Sequence, residues 1–213
     1  MNWRLASRLS VITLAILVAV IVAVISTKAD QQAANPSTPI DSSGLLGTDL
    51  GGVAAPDFHL IDQNGKQISL AQFKGEPVIL TFLYTHCPDV CPLTASKLHQ
   101  VVQNLGSASQ HIAIIAISSD PKGDTTASVI NFSKAHGLLD YSNWHYLMGT
   151  EGQLSPVWSS YSVYAVPEAA KSGVVDHTTA LFVIDKQGHE RAYFGGDFTP
   201  DQMTTDMQIL LKQ

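Results

Sequence analysis

The sequence predicts an α/β domain, a mixed central sheet flanked by helices, set behind one apolar N-terminal span. Three observations carry this. Two apolar runs, Val78–Tyr84 and Ile112–Ile117, are each followed by a stretch of helical character. Turn signals at Asn64-Gly65 and at Asp185-Lys186-Gln187-Gly188 separate short strand-like segments. Residues 9–27 carry no charge and consist mostly of Val, Ile, Leu and Ala.

The N-terminal span is long enough to cross a bilayer, which takes about 20 apolar residues in a helix. A cleaved signal peptide has a shorter apolar run of about 7–15 residues. No clean small-x-small site follows the run, Thr27-Lys28-Ala29 being the best there is. Residues 1–28 are therefore expected to be an uncleaved anchor, one transmembrane helix. Arg4 and Arg8 precede it, and positive charge stays on the cytoplasmic side. The expected location is the bacterial cytoplasmic (inner) membrane, single-pass, with the domain on the extracytoplasmic, periplasmic side. Residues 29–52 are rich in Gln, Asn, Ser, Pro and Gly and read as a polar tether. Leu45, Leu46 and Leu50 are the tether residues fit to touch the domain edge. The remaining 53–213 form the domain, which suits a 213-residue chain of one domain plus appendages. The net charge of −6, with no Lys/Arg cluster after the first residues, argues against a nucleic-acid surface.

Residues 57–70 read as a hairpin around Asn64-Gly65. Val78–Tyr84 is apolar almost throughout, which suits a strand buried on both faces. Leu98, Val101, Val102 and Leu105 then recur at helical spacing. Ile112–Ile117 is a second buried strand, followed by a helix near 125–136 and another over 150–161. Ala180–Ile184 and Arg191–Phe194 flank the second turn signal. Thr199-Pro200 opens a terminal helix, Thr being a good N-cap and Pro fitting the first helical position. Hairpin, βαβα, then hairpin and helix is the thioredoxin-like topology with an extra N-terminal hairpin.

The chain has two cysteines, Cys87 and Cys91, four residues apart where the first central strand meets its helix. That spacing puts both thiols on one helical face if the turn is helical, and a helix N-terminus favours thiolate, the form that ligates metal and attacks disulfides. A structural disulfide is the plain alternative in an exported protein. Closing so short a loop stabilises little, about 2 kcal/mol in the loop-entropy model. Further on, His177 in Asp176-His177-Thr178-Thr179 precedes the strand at 180–184. In this topology its loop neighbours the cysteine loop. Two thiolates and an imidazole form a soft set suited to Cu(I), with the imidazole also serving Cu(II). Structural zinc would want a fourth ligand. His86 and Asp89 share the cysteine loop, as solvated residues or as groups that tune the thiolates or meet a partner. Asp176 is placed either to orient His177 or to cap the strand that follows. Met203 and Met207 read as core residues of the last helix.

Tyr84-Thr85-His86-Cys87-Pro88-Asp89-Val90-Cys91-Pro92 resembles the signature of the Sco/SenC copper chaperones. Asp176-His177-Thr178 is similar to the context of that family's distal His ligand. Ile117-Ser118-Ser119-Asp120-Pro121, Asp124-Thr125 and Trp144–Gly149 are similar to further family segments. The resemblance covers residues 53–213. It implies a metallochaperone rather than an enzyme, binding copper, Cu(I) and/or Cu(II), through Cys87, Cys91 and His177. It implies as client the cytochrome c oxidase subunit that carries the binuclear copper site. A thiol reductant and another copper carrier would be further partners. The alternative it leaves open is a thiol–disulfide oxidoreductase using Cys87 and Cys91 alone.

Overall fold

The computed structural model describes Leu17, residues 44–166, Asp176, His177 and residues 179–213. The anchor predicted over 9–27 lies outside the described residues except for Leu17, which is helical. Among the described residues no helix is long and apolar enough to cross a membrane. The chain divides into two compact units, Met1–Pro39 and Ile40–Gln213. The second holds the sheet.

That sheet has eight strands: β1 (Thr48–Ala54), β2 (His59–Asp62), β3 (Gln67–Ser69), β4 (Val78–Leu83), β5 (Ala113–Ser118), β6 (Trp144–Met148), β9 (Leu181–Ile184) and β10 (His189–Phe194). Their order across the sheet is β1-β10-β9-β4-β5-β6-β2-β3. A separate two-stranded pair joins β7 (Ala165–Val166) to β8 (Asp176–His177). The helices are α1 (Val90–Leu105), α2 (Thr126–Ala135), α3 (Glu151–Ser160) and α4 (Pro200–Lys212). Strands β4, β5 and β6 run parallel, and the pairings outside them are antiparallel.

The parallel strands are apolar because both faces are covered. Alternate residues go to alternate layers. Ile79 and Leu83 of β4, Ile114 and Ala116 of β5, and Leu181 and Val183 of β9 face one core, with Leu98 and Val101 of α1, Phe132 of α2 and Met203 and Met207 of α4. Leu80 and Phe82, Ile115 and Ile117, and Phe182 and Ile184 face the other, with Leu154 and Trp158 of α3. Both methionines of α4 are fully buried, as expected.

The structure extends the folded unit into residues that composition reads as tether. β1 covers Thr48–Ala54 and pairs with β10. Leu45 is buried in the first core. The Leu46 and Gly47 N–H groups donate to the Asp206 carboxylate of α4 at 2.8 and 3.2 Å. Gly-rich, polar composition hid this segment because its order comes from an acceptor far away in sequence.

Asp206 is fully buried, so truncating it strands two backbone donors. Asp206→Ala is expected to destabilise the chain by about 2–4 kcal/mol, read as a lower urea midpoint at unchanged slope. A loss under about 0.5 kcal/mol, the range of an ordinary surface substitution, would show that the anchor is not made.

Candidate metal centre

β4 ends at Leu83, and the chain turns through residues 84–89 before α1 begins at Val90. The turn is closed by the Cys87 N–H donating to the Tyr84 carbonyl at 3.3 Å. A helix N-terminus needs acceptors for its first N–H groups. The N-cap residue, Asp89, provides no side-chain acceptor. Instead the Cys91 N–H donates to Cys87 Sγ at 3.4 Å, so a cysteine sulfur acts as the cap. Pro92 fits in this first turn because its missing N–H would have had no helical partner.

Both cysteines are thiols and both are buried, Cys87 at 7% exposure and Cys91 at 0%. The spacing argument expects helix-terminal thiols to be pushed down. The Cys91 thiol is instead pushed up: its hydrogen bond with the Cys87 side chain is the main cause, then burial, against a lowering backbone hydrogen bond from Tyr84. The helix-terminal field is outweighed because the two sulfurs share one pocket, and a second negative charge there has no water to solvate it.

Beneath the turn lies Asp124, 7% exposed. Its Oδ1 accepts from the Thr85 N–H at 2.8 Å. Its Oδ2 accepts from Ser118 Oγ at 2.6 Å and Tyr146 Oη at 2.9 Å. The Ser119 N–H donates to the Leu83 carbonyl at 2.8 Å. Burial pushes the Asp124 carboxyl up, against the donors Ser118, Thr85 and Tyr146. Burial, with the Asp124 charge next, pushes the Tyr146 hydroxyl well up. Sequence reasoning marked Asp124-Thr125 only as part of a similar segment. The legible signal was local: Thr125 caps α2 in a reciprocal box with Ser128, which turns the residue before it inward.

His86 and Asp89 are exposed, and the His86 ring Nδ1 sits 3.1 Å from the Thr85 hydroxyl. His177 lies in β8, where it is paired with Ala165 of β7; the side chains of Asp176 and His177 lie outside the described residues. Among the described residues no cluster of three or more His, Cys, Asp or Glu forms a metal site. The structure therefore brings Cys87 and Cys91 together and gives His177 a place in the backbone only.

A mixed sheet with two thiols at the start of the helix after its first parallel strand, one sulfur capping that helix, defines a thioredoxin-like protein with a paired-thiol site. A family profile described as SCO1/SenC matches residues 48–212. The chain belongs to the SCO1/SenC family. A SCO2-like protein of Rickettsia conorii is 28% identical over 151 residues, covering 69% of this chain and 72% of that one. The mitochondrial protein SCO2 homolog of Bos taurus is 31% identical over 163 residues, covering 73% of this chain and 59% of that one. The chain thus spans only about three fifths of the mitochondrial relative's length. ScoI of Bradyrhizobium japonicum, whose solved structure has copper bound, is 32% identical, with TM-score 0.65 over 75% of this chain and 100% of that one. A SCO1/SenC family lipoprotein of Bacillus anthracis shares the fold at TM-score 0.67 and 22% identity, over 76% and 96% of the two chains.

A carboxyl group raised on folding binds its proton more tightly in the folded chain. Its ionisation therefore removes stability as pH rises from the ordinary carboxylate range through the folded value. Asp124→Asn cannot ionise. The stability of the unsubstituted chain minus that of Asp124→Asn is expected to fall over the pH range just above the ordinary carboxylate value, then level off. Urea midpoints from about pH 4 to 8 check this, and a pH-independent difference would refute it.

Proposed function

We propose that this protein is a membrane-tethered copper chaperone that holds copper on Cys87, Cys91 and His177 and helps assemble the binuclear copper site of cytochrome c oxidase. The observation that carries the reading is the pair of thiols where the turn after β4 meets α1, the Cys91 N–H on Cys87 Sγ at 3.4 Å, in a SCO1/SenC chain. ScoI of Bradyrhizobium japonicum, with copper bound, supports it. Two sulfurs suit Cu(I), and an added imidazole makes the set fit for Cu(II). Support for His177 comes from connectivity. β8 leads within four residues into β9, and β9 pairs with β4, the strand that ends at the cysteine turn.

Copper needs both sulfurs as thiolates, so loading releases the thiol protons of both Cys87 and Cys91. A Cys87–Cys91 disulfide would offer no thiolate, hence the need for a thiol reductant as partner. Another copper carrier would supply the cargo. The anchor over residues 9–27 holds the domain on the extracytoplasmic side of the bacterial inner membrane, where the oxidase subunit displays its copper site.

A second reading, thiol–disulfide exchange, is favoured by the hydrogen bond between the two thiols, since exchange needs one attacking and one resolving sulfur. One variant separates the two. His177→Ala is expected to lower Cu(II) affinity at least ten-fold, about 1.4 kcal/mol, while the thiols still hold Cu(I) less tightly. Disulfide reduction should be retained. Competition titrations with copper chelators on the reduced chain check this. Unchanged affinity for both copper oxidation states would defeat the three-ligand site.

A further inference from the structure

Beside the second core, on the sheet face away from α1, lies an open pocket of about 310 Å³. Its walls include Leu50, Tyr161, Phe182 and Tyr193, together with the polar Ser160 and Ser162. The three rings pack edge to face, with centroids 5.1 Å apart for Tyr161 and Phe182 and 5.7 Å for Phe182 and Tyr193. Both tyrosine hydroxyls are engaged elsewhere, Tyr161 donating to the Pro56 carbonyl at 2.7 Å and Tyr193 to the Thr179 carbonyl at 3.4 Å. The rings therefore offer the cavity carbon and π density.

One charged residue, Glu190, joins these rings. Regular alternation along β10 would place Glu190 with Ala192 and Phe194, on the opposite face. A bulge prevents that. Ala192 stands opposite Val183, but Glu190 stands opposite Ile184, with one residue too many between them. Glu190 is thereby turned to the face of Phe182 and Ile184, the re-aiming that bulges produce. β1 has a matching irregularity: Asp49 opposes Ala192 and Val53 opposes Glu190. The extra residues pass through Gly51 and Gly52, both at positive φ, 74° and 70°, conformations that suit Gly. This excursion brings Leu50 against the second core.

The carboxylate opens to the pocket and has no protein partner among the described residues. Glu190 is 9% exposed, and among the described residues its side chain makes no hydrogen bond or ion pair. Asp185, equally buried and just across the hairpin, shows the contrast. It accepts from the Gln187 and His189 N–H groups at 3.0 and 2.9 Å and from Arg191 at 3.3 Å. Burial pushes the Glu190 carboxyl up, and its charge, after burial, helps to push up the Tyr161 hydroxyl.

The geometry points to a binding site for a primary alkylammonium group, a free amine or a lysine side chain, among Leu50, Tyr161, Phe182 and Tyr193, with Glu190 as its counter-ion. A carboxylate beside rings that cannot donate to it draws a cation. Aromatic ring faces attract cations. An ammonium supplies only donors and a carboxylate only acceptors. An anion would meet repulsion from both the carboxylate and the rings, and a neutral apolar ligand would leave the carboxylate unpaired. A metal ion would want further ligands, and no such cluster exists among the described residues.

The test uses the full chain in detergent, reduced and copper-free, titrated with n-butylammonium chloride and, separately, n-butanol. Tyrosine ring NMR shifts are followed. Butylammonium should bind saturably, and at least ten-fold more tightly than butanol. Glu190→Gln should lower butylammonium affinity at least ten-fold while leaving copper uptake unchanged. A lysine blocked at both backbone ends distinguishes the sources. Binding of both probes assigns the cavity to a polypeptide side chain, and binding of butylammonium alone assigns it to a free amine. Equal binding of butanol and butylammonium, equal binding by Glu190→Gln, or no binding of either ammonium probe would overturn the proposal.

Discussion

Asp124 lies where β4, β5 and β6 end together, and its carboxyl group accepts one hydrogen bond from each: the Thr85 N–H just past β4, Ser118 Oγ of β5 and Tyr146 Oη of β6. Parallel strands necessarily present their C-terminal ends at one edge, and a crevice at that edge is where α/β folds build sites. The edge also leaves backbone groups that the sheet no longer pairs. One buried carboxyl group gathers three of the local donors and fixes the height of the turn that follows β4. The position of Cys87 and the start of α1 depend on that turn. The arrangement carries a burial cost, visible in the upward displacement of both Asp124 and Tyr146.

The parts of the fold that were legible in the sequence are those dictated by apolar pattern. Val78–Leu83 and Ala113–Ser118 are buried at every position, so they read as continuous runs. Hairpins with Gly65 and Gly188 at positive φ were legible from their turn residues. β6 was harder. His145 interrupts its apolar pattern, partly covered by Phe73 and Asp62. β1 was not legible, since Gly51-Gly52 looks like linker and its pairing partner, β10, comes more than a hundred residues later. In the candidate site the two cysteines were evident from spacing. Asp124 and the sulfur cap were not, because each depends on contacts that only the folded turn creates.

The same distinction explains Glu190. A strand residue's face is normally set by parity, and parity assigns Glu190 to the wrong side. One inserted residue in β10 reverses it, and nothing in the composition of His189–Phe194 announces the insertion. Bulges are costly in ladder hydrogen bonds, and this one also sets a carboxylate among rings that cannot donate to it, so two separate energetic terms oppose it. Such a combination is more readily understood when a ligand offsets the second.

The thiol pair admits a similar argument. A helix N-terminus alone would favour two reactive thiolates, and a highly reactive pair in an oxidising compartment would close to a disulfide. The structure moderates this by making one sulfur serve the other. Cys87 Sγ receives the Cys91 N–H, and the Cys91 thiol is pushed up chiefly through its hydrogen bond with Cys87. The proton between the sulfurs holds their mutual repulsion in check in the absence of metal. Copper(I) would take the place of the two thiol protons as one cation held by both sulfurs. Loading a metal and attacking a disulfide both begin with the loss of a thiol proton, so the same burial and sulfur–sulfur contact set the threshold for either chemistry.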